Sequence, residues 1–263
     1  MRILTPGPEQ IAYTLEGPAG APVLMFSNSL GTTMAMWEAQ AGALARRYRV
    51  LRYDTRGHGA SGPGCAAGSG GACTLDQLGG DALRLLDALD IERASFCGIS
   101  MGGLTGLWLG VHAGHRLQRL VVANSAARIG TPQGWRERAA HVNSQGMDAV
   151  ADGAAGRWFT PRFRKLAPGL VGHYVEGLRR CAPAGYAACC EALADADLRD
   201  KVKDIDAPTL IIAGLRDEVT TVEDARFICS RIADARCAEL DASHLSNLEA
   251  EAEFTRCLVD FLD

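Results

Sequence analysis

A serine between two glycines, in the stretch GISMG at 98–102, is the side chain of this sequence best suited to nucleophilic chemistry. The pattern G-x-S-x-G is typical of a sharp strand-to-helix turn that lifts a serine hydroxyl above the edge of a sheet. The apolar run at 94–97 predicts the strand, and apolar residues from Leu104 onwards recur at helical spacing. The N–H groups at a helix N-terminus favour negative charge, which suits acyl transfer. We therefore predict that Ser100 is a nucleophile.

A serine nucleophile needs a base that takes its proton and a carboxylate that orients the base. In proteins with this motif the three residues follow in the order serine, acid, histidine. His244 follows the last predicted strand, and Asp217 follows a strand predicted at 208–213. Both residues are therefore expected at the same sheet edge as Ser100. Glu218 is a close rival, but we prefer Asp217 because it is shorter and comes first after the loop.

The oxyanion formed in acyl transfer needs two backbone N–H donors. One is expected from Met101, the residue after the predicted nucleophile. The second is expected from the loop at 27–32, which follows a predicted strand, and Leu30 is our candidate within it. The alternative is that this loop is only a polar turn.

A second glycine pattern, GHGASG at 57–62, matches the G-x-G-x-x-G of dinucleotide sites and also follows a predicted strand. Such a motif should open directly into a helix whose N-terminus meets the pyrophosphate. Here Pro63 and a Gly/Ala-rich run at 64–72 follow instead. We therefore predict no nucleotide site at this turn.

The composition limits the class of protein. A chain of 263 residues, 48% hydrophobic and 22% charged, indicates one large α/β domain with a sizeable core, and its oligomeric state stays open. The net charge of −4 gives no basic surface for nucleic acid. No apolar run reaches the roughly 20 residues of a membrane span and no secretory signal is visible, so a cytoplasmic protein without membrane contact is expected. The 9 cysteines include no C-x-x-C pair, so reduced thiols and neither metal nor cofactor are expected.

Strand-like and helix-like segments alternate along the chain, which predicts a doubly wound, mostly parallel sheet. A capping box at Thr74–Gln77 is expected to open one of the helices. The connection from Ser125 to the strand at 208–213 is longer than one helix needs. Its excess, 131–196, contains several helical patterns broken by prolines. We predict an inserted helical cap there, between core segments 1–130 and 197–263.

These motifs resemble a known family. The stretches PVLMFSNSLGT, LRYDTRGHGASG, GISMGG, PTLIIAGLRD and SHLSNLE resemble the α/β-hydrolase superfamily and its α/β-hydrolase fold. Within it, NSLGTT, ANSAARIGTPQGWRER, RWFTPRF, GYAACCEALADADLR and HLSNLE resemble the 3-oxoadipate enol-lactonases of bacterial aromatic catabolism. The resemblance implies a cofactor-free hydrolase that opens a small acidic enol-lactone. The rival functions are a general carboxylesterase, a cofactor-free perhydrolase, and a ligand receptor on the same scaffold.

The charge of the predicted cap fits an acidic substrate. Residues 131–180 contain 8 Lys or Arg against 4 Asp or Glu. Arg138 lies one helical turn after Trp135, and Arg157 is next to Trp158. We expect these four residues to bind the substrate, with an arginine on its carboxylate. The alternatives are that the charges form a solvated helix face and that the tryptophans belong to the cap core.

Overall fold

A sheet of eight strands organises the part of the chain that the computed structural model describes, residues 1–4, 9–63 and 73–263. The strands are β1 (Arg2–Leu4), β2 (Ile11–Glu16), β3 (Val23–Ser27), β4 (Arg49–Tyr53), β5 (Ala94–Ile99), β6 (Leu117–Ala123), β7 (Thr209–Gly214) and β8 (Ala235–Leu240). Their order is β1-β2-β4-β3-β5-β6-β7-β8. β2 pairs antiparallel with β1 and β4, and all other pairs are parallel. The predicted mostly parallel sheet is confirmed.

Helices connect the strands. They are α1 (Glu38–Leu44), α2 (Leu75–Ala88), α3 (Met101–Ala113), α4 (Pro132–Gln145), α5 (Asp148–Asp152), α6 (Ala154–Trp158), α7 (Pro161–Leu166), α8 (Pro168–Arg179), α9 (Pro183–Asp195), α10 (Val222–Arg231), α11 (Ser246–Glu249) and α12 (Glu251–Leu262). The capping box at Thr74–Gln77 opens α2 as predicted. None of the helices in the described ranges is both long and apolar enough to cross a lipid bilayer.

The parallel strands form the centre of the core. Every residue of β3, β5 and β7 is buried, as expected for strands that are covered on both faces. Large aromatic side chains fill the space beside the sheet: the ring of Trp37 stacks on Phe26 at 4.5 Å between centroids and faces Phe254 at 6.0 Å. Phe26 lies next to the last residue of β3, so this packing supports the carboxyl end of that strand, and the candidate site lies at the carboxyl ends of the parallel strands.

Six helices, α4 to α9, follow β6 and precede β7, and we call them the cap. Four of them have a proline in their first turn, at 132, 161, 168 and 183. The prolines that interrupt the sequence pattern thus begin new helices, where a missing N–H costs nothing. The division of the chain into core and cap domains at 130 and 196 stays a prediction.

The main chains of the cap and the core are in direct contact at a pair of glycines. A Cβ on Gly185, in the first turn of α9, would lie 2.3 Å from the carbonyl oxygen of Gly57. A Cβ on Gly57 would lie 2.5 Å from the Cα of Gly185, and Gly57 also has a φ of +73°. Since neither position has room for a side chain, the close seating of α9 on the turn at 57–62 depends on both glycines.

We expect Gly185→Ala to lower the free energy of unfolding by about 1–3 kcal/mol, because the new methyl group displaces α9 from the core. Gly177→Ala is the matched control: it lies in α8, and a Cβ there meets nothing within 4 Å. The control should raise stability by about 0.5–1 kcal/mol through helix propensity. Denaturant titrations of the two variants measure the difference, and equal stabilities would refute the close contact.

The oxidation state of the cysteines differs from the prediction at one pair. Cys229 on α10 and Cys237 on β8 form a disulfide with Cα atoms 6.4 Å apart, so the prediction of reduced thiols is wrong for these two. The other cysteines of the described ranges are free thiols. Cys97, three residues before Ser100, lies inside β5, and burial raises the pKa of its thiol. It is a core residue, as expected from its place in the strand.

Candidate active site

Ser100 occupies the turn between β5 and α3 with a φ of +57°, a backbone conformation that non-glycine residues rarely adopt. The two flanking glycines make this turn possible. A Cβ on Gly98 would lie 2.1 Å from the carbonyl oxygen of Gly102, and a Cβ on Gly102 would lie 2.3 Å from that of Ser27. The Ser125 hydroxyl donates to the Ser100 carbonyl at 2.8 Å. The predicted strand-to-helix turn is therefore present, and it holds the serine side chain at the sheet edge.

The loops after β7 and β8 bring the other two predicted residues to Ser100. His244 Nε2 lies 2.9 Å from Ser100 Oγ, and His244 Nδ1 lies 2.8 Å from Asp217 Oδ2. All three side chains are buried, whereas Glu218 is exposed, and it is Asp217 that bonds to the histidine. The carboxylate can only accept at Nδ1, so the Nδ1 proton belongs to this contact and Nε2 is free to accept the serine proton. The arrangement can deprotonate a hydroxyl.

The carboxylate of Asp217 is held in its ionised form. Its Oδ1 accepts the N–H groups of Val219 at 2.8 Å and Thr220 at 3.1 Å, and its Oδ2 accepts the Thr220 hydroxyl at 2.8 Å. Burial alone would raise the pKa of Asp217, but the charge and hydrogen bond of His244 and the bonds from Asn124 and Thr220 outweigh it. The pKa is therefore lowered, and the carboxylate is ionised at neutral pH.

Asn124, which the sequence analysis did not single out, connects the acid loop to the histidine loop. Its side-chain amide donates to Asp217 Oδ2 at 3.0 Å and to the carbonyl of Ser243 at 3.1 Å. The hydroxyl of Ser246 donates to the Asn124 side-chain oxygen. These bonds lie on both sides of His244 in the chain, so Asn124 fixes the imidazole relative to the carboxylate. Its position, directly after β6 at the same sheet edge, is the signal that could have found it.

The two predicted oxyanion donors belong to two segments that are hydrogen-bonded to each other, the turn at Ser100 and the loop at 27–32. Met101 is the first residue of α3, and Leu30 lines the cavity above Ser100. The loop of Leu30 is bonded to the turn at Ser100, because the Gly102 N–H donates to the Asn28 carbonyl at 3.0 Å. Within the described ranges the Leu30 N–H has no protein acceptor, so it is available to an oxyanion.

A cavity of about 300 Å³ lies between the cap and the triad residues. All four residues predicted to bind substrate line it: Trp135, Arg138, Arg157 and Trp158. Tyr186 of α9, which residue type and spacing did not indicate, also lines the cavity and is 3% exposed. Residues 1–4, 9–63 and 73–263 contain no cluster of His, Cys, Asp and Glu that could hold a metal ion. The cavity suits a small organic molecule.

Two guanidinium groups give the cavity its charge. Neither Arg138 nor Arg157 forms an ion pair with a carboxylate of the described residues. Arg157 Nη2 donates to the Val150 carbonyl at 2.6 Å, and Arg138 lies 5.0 Å from the Trp135 ring centroid. Burial, followed by the positive charge of Arg138, lowers the pKa of Arg157, and burial raises the pKa of Tyr186 to about 12. The cap therefore presents positive charge to whatever fills the cavity.

Two other cap arginines are paired with carboxylates on the surface. Arg136 pairs with Asp195, and Arg179 pairs with Asp148 and Asp152 at 2.8 Å. The excess of basic residues in the cap is thus partly a solvated face, which was the alternative explanation. At Arg138 and Arg157 the charge faces the cavity instead. Trp158, 6% exposed, packs in the cap and also lines the cavity, so it is part of the cap core and its contact with a substrate stays a prediction.

Comparison with known proteins places the chain in a family. The model of the alpha/beta hydrolase fold family matches residues 22–251. The chain is 46% identical to 3-oxoadipate enol-lactonase 2 of Acinetobacter baylyi over 94% of its length and 90% of the relative's. A solved enol-lactonase of Burkholderia xenovorans superposes with a TM-score of 0.92 at 43% identity, covering 96% of both chains. A solved hydrolase of Pseudomonas aeruginosa gives a TM-score of 0.93 at 43% identity, covering 99% of this chain and 97% of that one. The chain belongs to the α/β-hydrolase fold family, and 3-oxoadipate enol-lactonases are among its relatives.

Proposed function

We propose that this protein is a cofactor-free serine hydrolase that opens 3-oxoadipate enol-lactone to 3-oxoadipate. The observation that carries the substrate class is the pair of cap guanidinium groups, Arg138 and Arg157, which face the cavity above the triad without a carboxylate partner among the described residues. A small ester with its own carboxylate supplies the missing negative charge. The relatives named 3-oxoadipate enol-lactonase support the particular lactone.

The first half of the reaction follows from the hydrogen bonds. Ser100 Oγ attacks the lactone carbonyl while His244 Nε2, 2.9 Å away, takes the hydroxyl proton. The imidazolium that forms is stabilised by the ionised Asp217 on Nδ1. The N–H groups of Leu30 and Met101 donate to the oxyanion of the tetrahedral intermediate. The ring oxygen then leaves, takes the proton from His244, and the resulting enol rearranges to the ketone.

The second half repeats these steps with water as the nucleophile and Ser100 Oγ as the leaving group. The acyl chain is now bound to Ser100 as an ester. A water molecule attacks the acyl carbon while His244 takes one of its protons, and the same two N–H groups donate to the second oxyanion. Collapse of this intermediate returns the proton to Ser100 Oγ and releases a carboxylic acid, which loses its proton to solvent and leaves a dicarboxylate. The product then carries two negative charges, the carboxylate that the substrate brought and the one newly formed, and both must leave the attraction of the two arginines before the product is released.

The decisive experiment supplies purified protein with freshly made 3-oxoadipate enol-lactone and follows the loss of the lactone absorbance. We expect a kcat of about 1–10³ s⁻¹, in the normal range of enzymes. A neutral aryl acetate of similar size should be hydrolysed with a kcat/KM at least about 100-fold lower, because it cannot pair with the cap arginines. Faster turnover of the aryl ester would indicate a general carboxylesterase. Binding without turnover of either compound would indicate a receptor.

A further inference from the structure

The loop that carries Leu30 is held on both sides of that residue. On one side, the carbonyl of Ser29 accepts the Thr32 N–H at 3.1 Å and the Thr32 hydroxyl at 2.8 Å. This carbonyl belongs to the same peptide plane as the Leu30 N–H, so these bonds limit how that N–H can rotate. On the other side, the Gly31 N–H donates to His58 Nε2 at 3.0 Å. The direction of the Leu30 N–H therefore depends on a histidine outside the triad.

His58 can make this bond in only one protonation state. An N–H donor requires that Nε2 carries no proton, and the Nδ1–H is then free to donate to the Arg56 carbonyl, 3.1 Å away. The side chain is 2% exposed, and burial lowers the pKa of its imidazole, which keeps the ring neutral. Two backbone groups thus determine the tautomer, and at 2% exposure the residue has too little contact with solvent for water to replace them.

The backbone of the turn at 57–62, which carries His58, is held rigidly. Asp54 Oδ1 accepts the Met34 N–H at 2.8 Å, and its Oδ2 accepts the Ala60 N–H at 2.9 Å. Gly59 has a φ of +54°, and a Cβ there would lie 2.1 Å from Asp54 Oδ2, so the chain folds tightly around this carboxylate. The buried guanidinium of Arg56 makes two hydrogen bonds to Asp81, at 2.6 and 2.7 Å. The glycines that resemble a nucleotide motif therefore shape a support for the imidazole.

We propose that His58 is a positioning residue for catalysis, which holds the Gly31 N–H and thereby aims the Leu30 N–H at the oxyanion. This inference rests on the proposed function, because it takes Ser100 as the nucleophile and Leu30 as an oxyanion donor. An oxyanion donor acts only once charge has developed on the carbonyl oxygen. Disturbing its direction should therefore lower kcat and leave KM nearly unchanged.

Two amide substitutions separate the two hydrogen bonds of the imidazole. In His58→Gln the side-chain oxygen reaches the position of Nε2 and can still accept the Gly31 N–H, whereas in His58→Asn the shorter amide reaches only the position of Nδ1. We expect His58→Asn to lower kcat about 10- to 100-fold on both the lactone and a neutral aryl ester, with KM within about threefold of the wild-type value. His58→Gln should retain at least about a third of kcat. His115→Gln, an exposed histidine, is the control and should behave as wild type.

The affinity for a boronic acid that forms a tetrahedral adduct with Ser100 is a second measurement. A purely structural role of His58 would not change this affinity selectively. The affinity should fall in His58→Asn by the same factor as kcat, while that for an unreactive ester analogue stays constant. Unchanged kcat in His58→Asn, equal losses in both amide variants, or a loss confined to KM would overturn the proposal. The aryl ester separates this inference from the substrate assignment. If the wild-type protein hydrolyses the aryl ester but not the lactone, the proposed substrate is refuted. The effect of His58→Asn on kcat can then still be measured with the aryl ester.

Discussion

Replacing Ser100 with alanine is expected to lower kcat on the lactone by roughly 10⁴- to 10⁶-fold, and His244→Ala should have a similar effect. The first variant lacks the hydroxyl that forms the acyl-enzyme, and the second lacks the base that takes its proton. The 2.9 Å hydrogen bond between the two side chains makes them one unit, so the double variant should lose little more than either single variant. Steady-state kinetics at high enzyme concentration measure all three variants.

The control for these variants is Ser144→Ala, in which a serine of α4 on the protein surface loses a hydroxyl that donates to the His141 carbonyl. Its kcat should lie within about twofold of wild type, as for most surface substitutions. Melting temperatures of Ser100→Ala and His244→Ala show that the variants are folded when their turnover is measured. If folded Ser100→Ala kept more than about a tenth of the wild-type kcat, the nucleophile would be another group.

The elements that the sequence predicted are those with strong local signals. β3, β5 and β7 are continuous apolar runs because parallel strands are covered on both faces, and such runs are visible without any knowledge of the partners. The turn at Ser100 was predictable because its glycines are required by backbone contacts at 2.1 and 2.3 Å. Asp217 and His244 followed from chain order, since each comes directly after a strand that ends at the same edge of the sheet.

Two strands were not predicted because their signals are weak. β1 has only 3 residues and is largely exposed at the edge of the sheet. β2, which is IAYTLE, is buried only in its first half and becomes exposed towards Glu16. Neither strand shows the continuous apolar run of the central strands or a regular alternation. Both are stabilised by antiparallel pairing with partners elsewhere in the chain, which a local pattern does not reveal.

The residues missed in the site were missed for a related reason. Asn124 acts on Asp217 and Ser243, which lie 93 and 119 residues further along the chain. Tyr186 reaches the cavity from the last cap helix, and its spacing resembles that of any buried helix residue. The role inferred for His58 depends on the Gly31 N–H, 27 residues away. Contacts of this kind depend on the tertiary fold, so residue type and spacing did not show them.

The substrate assignment is tested most directly at the cap arginines. Arg138→Ala and Arg157→Ala should each lower kcat/KM for the acidic lactone roughly 30- to 700-fold. This corresponds to a loss of about 2–4 kcal/mol of transition-state stabilisation. Each substitution leaves the substrate carboxylate in a partly dehydrated cavity with one cation instead of two. A neutral aryl ester never used that charge, so its kcat/KM should change by less than about threefold. The comparison of the two substrates measures recognition of the acid separately from the integrity of the cap.

Arg136→Ala and Arg179→Ala are the matched controls, because both arginines lie in the cap and pair with carboxylates on its surface. They should leave kcat/KM for both substrates within about twofold of wild type.

The melting temperature provides a second criterion. In the free protein the positive charge of Arg138 contributes to the lowered pKa of Arg157, so the two groups repel each other until an anion binds. Arg138→Ala relieves this repulsion but also loses the contact of Arg138 with the Trp135 ring, so its melting temperature should stay within about 3 °C of wild type while kcat/KM for the lactone falls. Equal losses on the acidic and neutral substrates, together with a lower melting temperature, would make these arginines structural and leave recognition of the carboxylate to other groups.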